Sequence, residues 1–186
     1  MAANPDQQGL DITVGPMQRR HLKSVVRIEG EVYPRPWSMS LFLSELALSS
    51  SRAYFVAKSG RHVVGYGGVM MSGDDGHITT IAVDPDWQGQ AVGTRLLLGL
   101  VREAIRRGAT SLTLEVRVHN KVAQGLYRTF GFMPVGIRRN YYQETNEDAL
   151  VMWADHVDTP GYRRRLARIE ARVLGTTVFE AISGDW

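Results

Sequence analysis

Three parts of this 186-residue sequence carry residue types that can do chemistry. In Ser111–Arg117, Leu112, Leu114 and Val116 alternate with Thr113, Glu115 and Arg117. A strand with that alternation turns Glu115 away from its apolar face. A carboxylate so placed either takes a proton inside a cleft or pairs with an arginine at the surface. Tyr127 falls one helical turn after Ala123, on the apolar side of the next helical segment. With a pKa near the ordinary phenol value of roughly 10, it is either a proton donor at neutral pH or a hydrogen-bonded core aromatic. The third part is Gln88-Gly89-Gln90-Ala91-Val92-Gly93-Thr94, between a strand and a long helix. Small residues at Gly89, Ala91 and Gly93 let a ligand approach the backbone, and N–H groups at a helix start suit a pyrophosphate. An ordinary tight turn has the same composition. Thr94 follows Gly93 rather than Lys, which rejects a Walker loop, and the three spaced glycines of a dinucleotide fingerprint are missing.

The elements that must hold these residues are legible from periodicity. Residues up to Gly9 read as a frayed terminus and Leu10 to Val14 as a strand. Pro16 opens a helical pattern with Leu22, Val25 and Val26 on one face. Ser38 is placed to cap a second helix through Leu41, Phe42 and Leu46. Ala53–Lys58 and His62–Met70 form a hairpin about Ser59-Gly60, and His77–Val83 is a strand stopped by Asp84-Pro85. Val92–Arg107 is amphipathic through Leu96, Leu97, Leu100, Ala104 and Ile105, with Gly108 as its stop. Asn120 caps a helix presenting Val122, Ala123, Leu126, Tyr127 and Phe130, ended by Gly131. Strands at Met133–Tyr142 and Ala149–Ala154 complete an α/β (α+β) pattern around a mixed sheet.

Composition narrows the function classes. The chain has no Cys, which excludes disulfides, thiolate metal sites and a cysteine nucleophile. The five histidines show no metal-ligand spacing, so no metal is expected. No Gly-x-Ser-x-Gly elbow is present. The net charge of +3 favours anionic ligands but is too small to mark a nucleic-acid binder by itself. No apolar run approaches the roughly 18 residues of a membrane span, and the start MAANPDQQGLDITVG lacks the pattern of a secretory signal. A cytoplasmic protein with no membrane role is expected, with a monomer favoured.

Gln88-x-x-Ala91-x-Gly93 resembles the acetyl-CoA pyrophosphate loop of the GCN5-related N-acetyltransferases, GNAT for short. Ile81-Ala82-Val83-Asp84-Pro85 looks like the strand before that loop. Leu114-Glu115-Val116-Arg117-x-x-Asn120 and Ala123-x-x-Leu126-Tyr127-x-x-x-Gly131-Phe132 look like the cofactor-side strand and helix. Arg138-Arg139-Asn140-Tyr141-Tyr142 and Glu147-Asp148-Ala149 narrow the resemblance to RimI-like ribosomal-protein-alanine N-acetyltransferases, over about Thr13 to Ala154. The resemblance implies the GNAT fold, a mixed, mostly antiparallel sheet flanked by helices. It implies acetyl-CoA as cosubstrate and direct transfer in a ternary complex. By the same resemblance Glu115 is the general base and Tyr127 the general acid. Ile81, Ala82, Val83, Gln88, Gly89, Gln90, Ala91, Val92, Gly93, Thr94, Asn120 and Tyr127 are the cofactor contacts.

The implied acceptor is the N-terminal alanine of a small-subunit ribosomal protein. Tyr33, Trp37, Arg138, Asn140, Tyr141 and Tyr142 are expected to wall its slot. The alternatives are other protein N-termini, a lysine or a small amine, and, from another class, a ribosome- or RNA-binding module using a basic tail. One loop position departs from the family pattern: Ala91 stands where Gly is usual. Because Ala resists positive φ, a negative φ is expected there. The chain divides into an acetyltransferase domain, 1–156, and an extension, 157–186. In the extension, Thr159 and Pro160 start a basic amphipathic helix with Leu166, Ile169 and Val173 on one stripe and Gly175 as its end. The extension reads as an addition to a complete catalytic domain.

Overall fold

The computed structural model describes residues 9–180; residues 1–8, expected to fray, lie outside the described residues. Eight strands form one sheet in the order β6-β7-β5-β4-β3-β2-β1-β8. They are β1 (Ile12–Pro16), β2 (Arg52–Ser59), β3 (His62–Ser72), β4 (Asp75–Val83), β5 (Ser111–Arg117), β6 (Met133–Tyr142), β7 (Glu147–Asp155) and β8 (Thr177–Phe179). The helices are α1 (Leu22–Val32), α2 (Met39–Ala47), α3 (Val92–Arg106), α4 (Lys121–Thr129) and α5 (Pro160–Glu170). β4 runs parallel to β5, and β1 parallel to β8; the remaining pairs are antiparallel.

Period-two alternation splits the core between the two faces of the sheet. On β2, Phe55 and Ala57 join the α3, α4 and α5 side. Tyr54 and Val56 join α1 and α2 on the other side, with Val25, Ile28 and Phe42. The caps form as their residue types dictate. Ser38 Oγ accepts from Leu41 N at 3.2 Å, Asn120 Oδ1 from Ala123 N at 3.0 Å, and Thr159 Oγ1 from Tyr162 N at 3.3 Å.

Some boundaries differ from the sequence pattern. Pro16 is the last residue of β1, opposite Phe55, and the helix waits until Leu22 after a short 3-10 turn at Arg19–His21. Pro16 satisfies its fixed φ equally well in a strand that no longer pairs on its other side. Val122 is 87% exposed rather than part of the apolar face of α4. α5 ends at Glu170, so its buried stripe is Tyr162, Leu166 and Ile169, one turn earlier than Leu166, Ile169 and Val173. These three side chains lie in the same core cluster as α3, and the Tyr162 hydroxyl donates to Phe130 O at 2.8 Å.

The decisive feature for function is where the sheet opens. β4 pairs with β5 only through Asp75–His77 against Ser111–Thr113. On its other side β4 carries an extra residue: Gly68 pairs with Thr80 and Val69 with Ile78, leaving Thr79 unpaired. A bulge of this kind bends its strand and increases the twist, so β4 leaves β5 at that point. The partner position, Gly68, must lack a Cβ, which would stand 2.3 Å from the Tyr54 ring.

Candidate active site

The opening between β4 and β5 is a cleft of about 340 Å³. Its floor is residues 77–81 of β4 and 114–117 of β5. Asn120, Ala123 and Tyr127 close the α4 side, while Tyr33 and Trp37 from the α1–α2 connection and Tyr141, Tyr142 and Glu144 from the β6–β7 hairpin wall the other. Glu115 and Tyr127, carried on different elements, therefore face one space.

The Glu115 side chain is only 9% exposed, and each of its oxygens has a cationic or imidazole neighbour. His77 Nε2 lies 3.1 Å from Oε2, and Arg138 Nη1 lies 3.3 Å from Oε1. The His77 Nδ1 hydrogen-bonds the Thr113 hydroxyl at 2.8 Å. The hydrogen bond from His77 holds the Glu115 carboxyl below the ordinary carboxylate range; burial opposes this, and the charges of His77 and Arg138 reinforce it. Glu115 is thus ionised at neutral pH. Its contribution to stability is full above its unfolded pKa and is lost as pH falls through the lower folded one.

Tyr127 behaves oppositely. Burial, with weaker repulsion from Tyr33 and Tyr142, pushes its phenol well above the ordinary value, so it stays protonated. Its ring packs edge-on against Phe132 at 6.0 Å. Among the described residues its hydroxyl has no hydrogen-bond partner.

The expected cofactor loop follows β4 and leads into α3. Gly89 has φ +75° and Ala91 has φ +58°, ψ +20°, so the negative φ expected at Ala91 is wrong. The left-handed region costs an L-residue roughly 1–2 kcal/mol, and Ala91 adopts it as the N-cap of α3, after a 3-10 turn at Pro85–Trp87. The first N–H groups of α3 have no intrahelical acceptor, and with the helix dipole they offer an anion cradle. Residues Gln88 to Thr94 therefore fit a pyrophosphate. Gln88 Nε2 donates to Val83 O at 3.2 Å, bracing the loop on the strand. Gly93 sits where α3 meets α4; an added Cβ would lie 3.5 Å from Leu126. Ile81 on the unpaired edge of β4 and Asn120 at the N-terminus of α4 line the cleft, whereas Ala82, Val83 and residues 88–94 are not among its lining residues. The Ile81 carbonyl is already taken by the Tyr33 hydroxyl at 2.7 Å.

Of the expected acceptor residues, Tyr33, Trp37, Tyr141 and Tyr142 line the cleft, and Arg138 reaches it through Glu115. Trp37 also packs on Phe42 at 5.4 Å. Tyr142 lies under the Arg117 guanidinium, 3.9 Å from its centre, and Arg117 is held by Glu144 at 2.8 Å and by Glu147. Asn140 is not brought to the cleft. It sits at φ +49° in the irregular part of β6, and its backbone N–H donates to Asp148 at 2.8 Å.

Several cleft residues were not among the expected site residues, including Arg117, Glu144, His77 and Glu29. His77 sits at a strand position that gives no spacing signal. Glu29 of α1 is buried and accepts from Trp37 N at 2.9 Å, and burial raises its carboxyl above the ordinary range. Its signal was a Glu on the apolar side of a helix next to Ile28. Among the described residues there is no cluster of three or more metal-ligating side chains, and no helix long and apolar enough to cross a membrane.

Comparison with known proteins adds the lineage. Residues 22–132 match the Acetyltransferase (GNAT) family. The N-alpha-acetyltransferase RimI of Mycobacterium tuberculosis is 37% identical over 153 residues, covering 79% of this chain and 94% of that protein. The [ribosomal protein bS18]-alanine N-acetyltransferase of Escherichia coli K12 is 34% identical over 142 residues, covering 75% of this chain and 95% of that protein. The crystal structure of the ribosomal-protein-S18-alanine N-acetyltransferase from Escherichia coli superposes with a TM-score of 0.71 at 32% identity, over 78% of this chain and 94% of that one. With the fold, the cleft and these likenesses in agreement, the chain belongs to the GNAT acetyltransferase family and is an N-acetyltransferase of its RimI-like branch.

Proposed function

We propose that the protein acetylates the α-amine of a protein N-terminus, with the N-terminal alanine of ribosomal protein bS18 as acceptor, by direct transfer in a ternary complex. The observation that carries this reading is that an ionised carboxylate on β5 and a protonated phenol on α4 face one cleft. Acetyl-CoA supplies an activated acyl group and a thiolate leaving group. Residues Gln88 to Thr94 would hold its pyrophosphate, and Asn120 with the open edge of β4 at Ile81–Val83 its amide-bearing arm. Glu115 takes a proton from the acceptor ammonium, directly or through water, so the amine lone pair can form the new N–C bond. As the C–S bond breaks, Tyr127 gives its proton to the sulfur, and the second proton that the nitrogen sheds as the amide forms restores the phenol through water. Tyr33, Trp37, Tyr141 and Tyr142 wall the slot on the acceptor side; Arg138 orients Glu115.

The electrostatics favour an N-terminal amine over a lysine. An α-amine has a pKa near 7.7–8.0 and a lysine near 10.4. A carboxylate held at low pKa is a weak base, matched to the first and poorly matched to the second. A ribosomal acceptor implies action in the cytoplasm. The test is mass spectrometry of a panel of N-terminal peptides, with lysine-containing and small-amine controls, incubated with acetyl-CoA. Acetylation confined to the α-amine, strongest on alanine-started peptides of the bS18 type, is expected. Preferential labelling of lysine or free small amines refutes it.

A further inference from the structure

Arg95 lies in the first turn of α3, four residues after Ala91 of the cofactor loop, and is 0% exposed. A buried guanidinium is costly unless its donors are satisfied. Here they go to four neutral oxygens: Nε to the Thr177 hydroxyl at 2.9 Å, Nη1 to Gln90 O at 2.9 Å, and Nη2 to Leu174 O at 2.6 Å and Leu10 O at 3.2 Å. Two of these oxygens, on Leu174 and Thr177, belong to the segment after α5, and one, on Gln90, to the cofactor loop itself. β8 then locks the segment by pairing with β1, Ile12 against Thr177 and Val14 against Phe179.

The Gln90 contact has a geometric consequence. In a trans peptide the C=O and the following N–H point in opposite directions. Drawing the Gln90 carbonyl inward to Arg95 therefore turns the Ala91 N–H outward. The backbone N–H of Arg95 also binds Ala91 O at 3.1 Å. That backbone bond is the first of the helix and holds the C-terminal side of Ala91, while the Arg95 side chain holds the Gln90 peptide on the N-terminal side of this left-handed residue.

Resting on the acetyl-CoA reading above, we propose that Arg95 is a positioning residue for the pyrophosphate loop, and that the C-terminal segment Leu174–Thr177 supports the cofactor site through it. Arg95 does not reach the ligand. It keeps Ala91 left-handed and its N–H aimed outward, and the tail keeps Arg95 in place. Without that grip, Ala91 relaxes toward negative φ, and the population of the binding-ready loop falls by roughly 5–30-fold, the penalty for a left-handed L-residue expressed as a ratio.

The experiment is calorimetric titration of the full chain with CoA, beside thermal melting and acetyl-CoA kinetics. Arg95→Met and Arg95→Lys should weaken CoA binding about tenfold and raise KM for acetyl-CoA in parallel, with kcat at saturation within about twofold. Thr177→Val, which removes one hydroxyl of the tail, should weaken CoA by about threefold. Adding Ala91→Gly to Arg95→Met should restore most of the CoA affinity, because glycine is left-handed without penalty. A structural arginine would lower Tm in every variant and leave the CoA Kd where it was; that result overturns the inference. So does failure of Ala91→Gly to restore binding. If Arg95→Met does not fold, Thr177→Val with and without Ala91→Gly gives the same comparison. A wild-type chain that does not bind CoA would sink the acetyl-CoA reading itself, whereas tight wild-type binding with unaffected variants sinks only the role of Arg95 and the tail.

Discussion

Replacing Glu115 by Gln is the sharpest test of the chemistry. Gln keeps the shape and can still accept from His77 Nε2 or Arg138 Nη1, now 3.1 and 3.3 Å away, so the cleft should hold its form. What is lost is a group able to take a proton. Losing a general base costs roughly 10²–10⁴ in kcat/KM. CoA binding should barely change, because Glu115 lies on β5 while the phosphate loop runs from β4 to α3. The pH dependence makes the test specific. Glu115 is held below the ordinary carboxylate range, so it is ionised throughout the neutral region and adds no titration there. An α-amine of pKa near 7.8 is about one-seventh neutral at pH 7 and almost wholly neutral at pH 9. The variant should therefore regain about sevenfold on raising the pH from 7 to 9, while the wild-type chain, which takes the proton itself, gains less. Initial rates on an alanine-started peptide across pH 7–9, with a CoA titration of each protein, supply the data. A loss that is the same at every pH, or no loss at all, refutes the base assignment.

Tyr127→Phe removes only a hydroxyl that has no protein partner among the described residues, so Tm should stay within a few degrees while kcat falls; normal turnover with a loss of about 1–3 kcal/mol of stability would make the phenol a core group instead. Glu29→Gln keeps an acceptor for the Trp37 N–H at 2.9 Å and deletes a charge that burial disfavours. Because the folded pKa of Glu29 is raised, the wild-type chain gains stability from this residue as pH falls through that raised pKa toward the ordinary carboxylate value. The Tm advantage of the variant should thus be largest at neutral pH and vanish in acid; an advantage independent of pH contradicts the assignment. Ala91→Gly relieves a left-handed strain of roughly 1–2 kcal/mol and adds unfolded-chain entropy of about 0.4–1 kcal/mol. A net gain of about 0–1.5 kcal/mol is expected by chemical denaturation, and a clear loss would mean that Ala91 is not left-handed in solution.

Much of the architecture was written in local pattern. The alternation in Ser111–Arg117, the apolar face of α3, and the caps at Ser38, Asn120 and Thr159 involve neighbours within about one helical turn or two strand positions, so the sequence alone shows them. The set of motifs around the loop, Glu115, Asn120 and Tyr127 likewise pointed to the GNAT family before any contact was known. Local pattern misled where a residue type suits two states. Pro16 fits a helix start and a strand end alike, and Val122 looks apolar although its position on α4 faces solvent.

The rest depended on segments far apart in the chain. Thr79 and Thr80 give no hint that one of them is skipped in the β3–β4 register, yet that bulge opens the cleft. Glu115 acquires its low pKa from His77 and Arg138, which reach it only once β4 and the β6–β7 hairpin are in place. Ala resists positive φ, so composition argued against the left-handed Ala91, which appears only in the folded loop as the N-cap of α3. Arg95 reads as one more polar residue of a helix; its partners are five residues back at Gln90 and about eighty away at Leu10, Leu174 and Thr177. The sequence sets which groups are available and their local geometry. Which of them meet, and what that meeting does to charge and strain, is settled by long-range packing, because burial and pairing across the sheet outweigh the preference of any single residue.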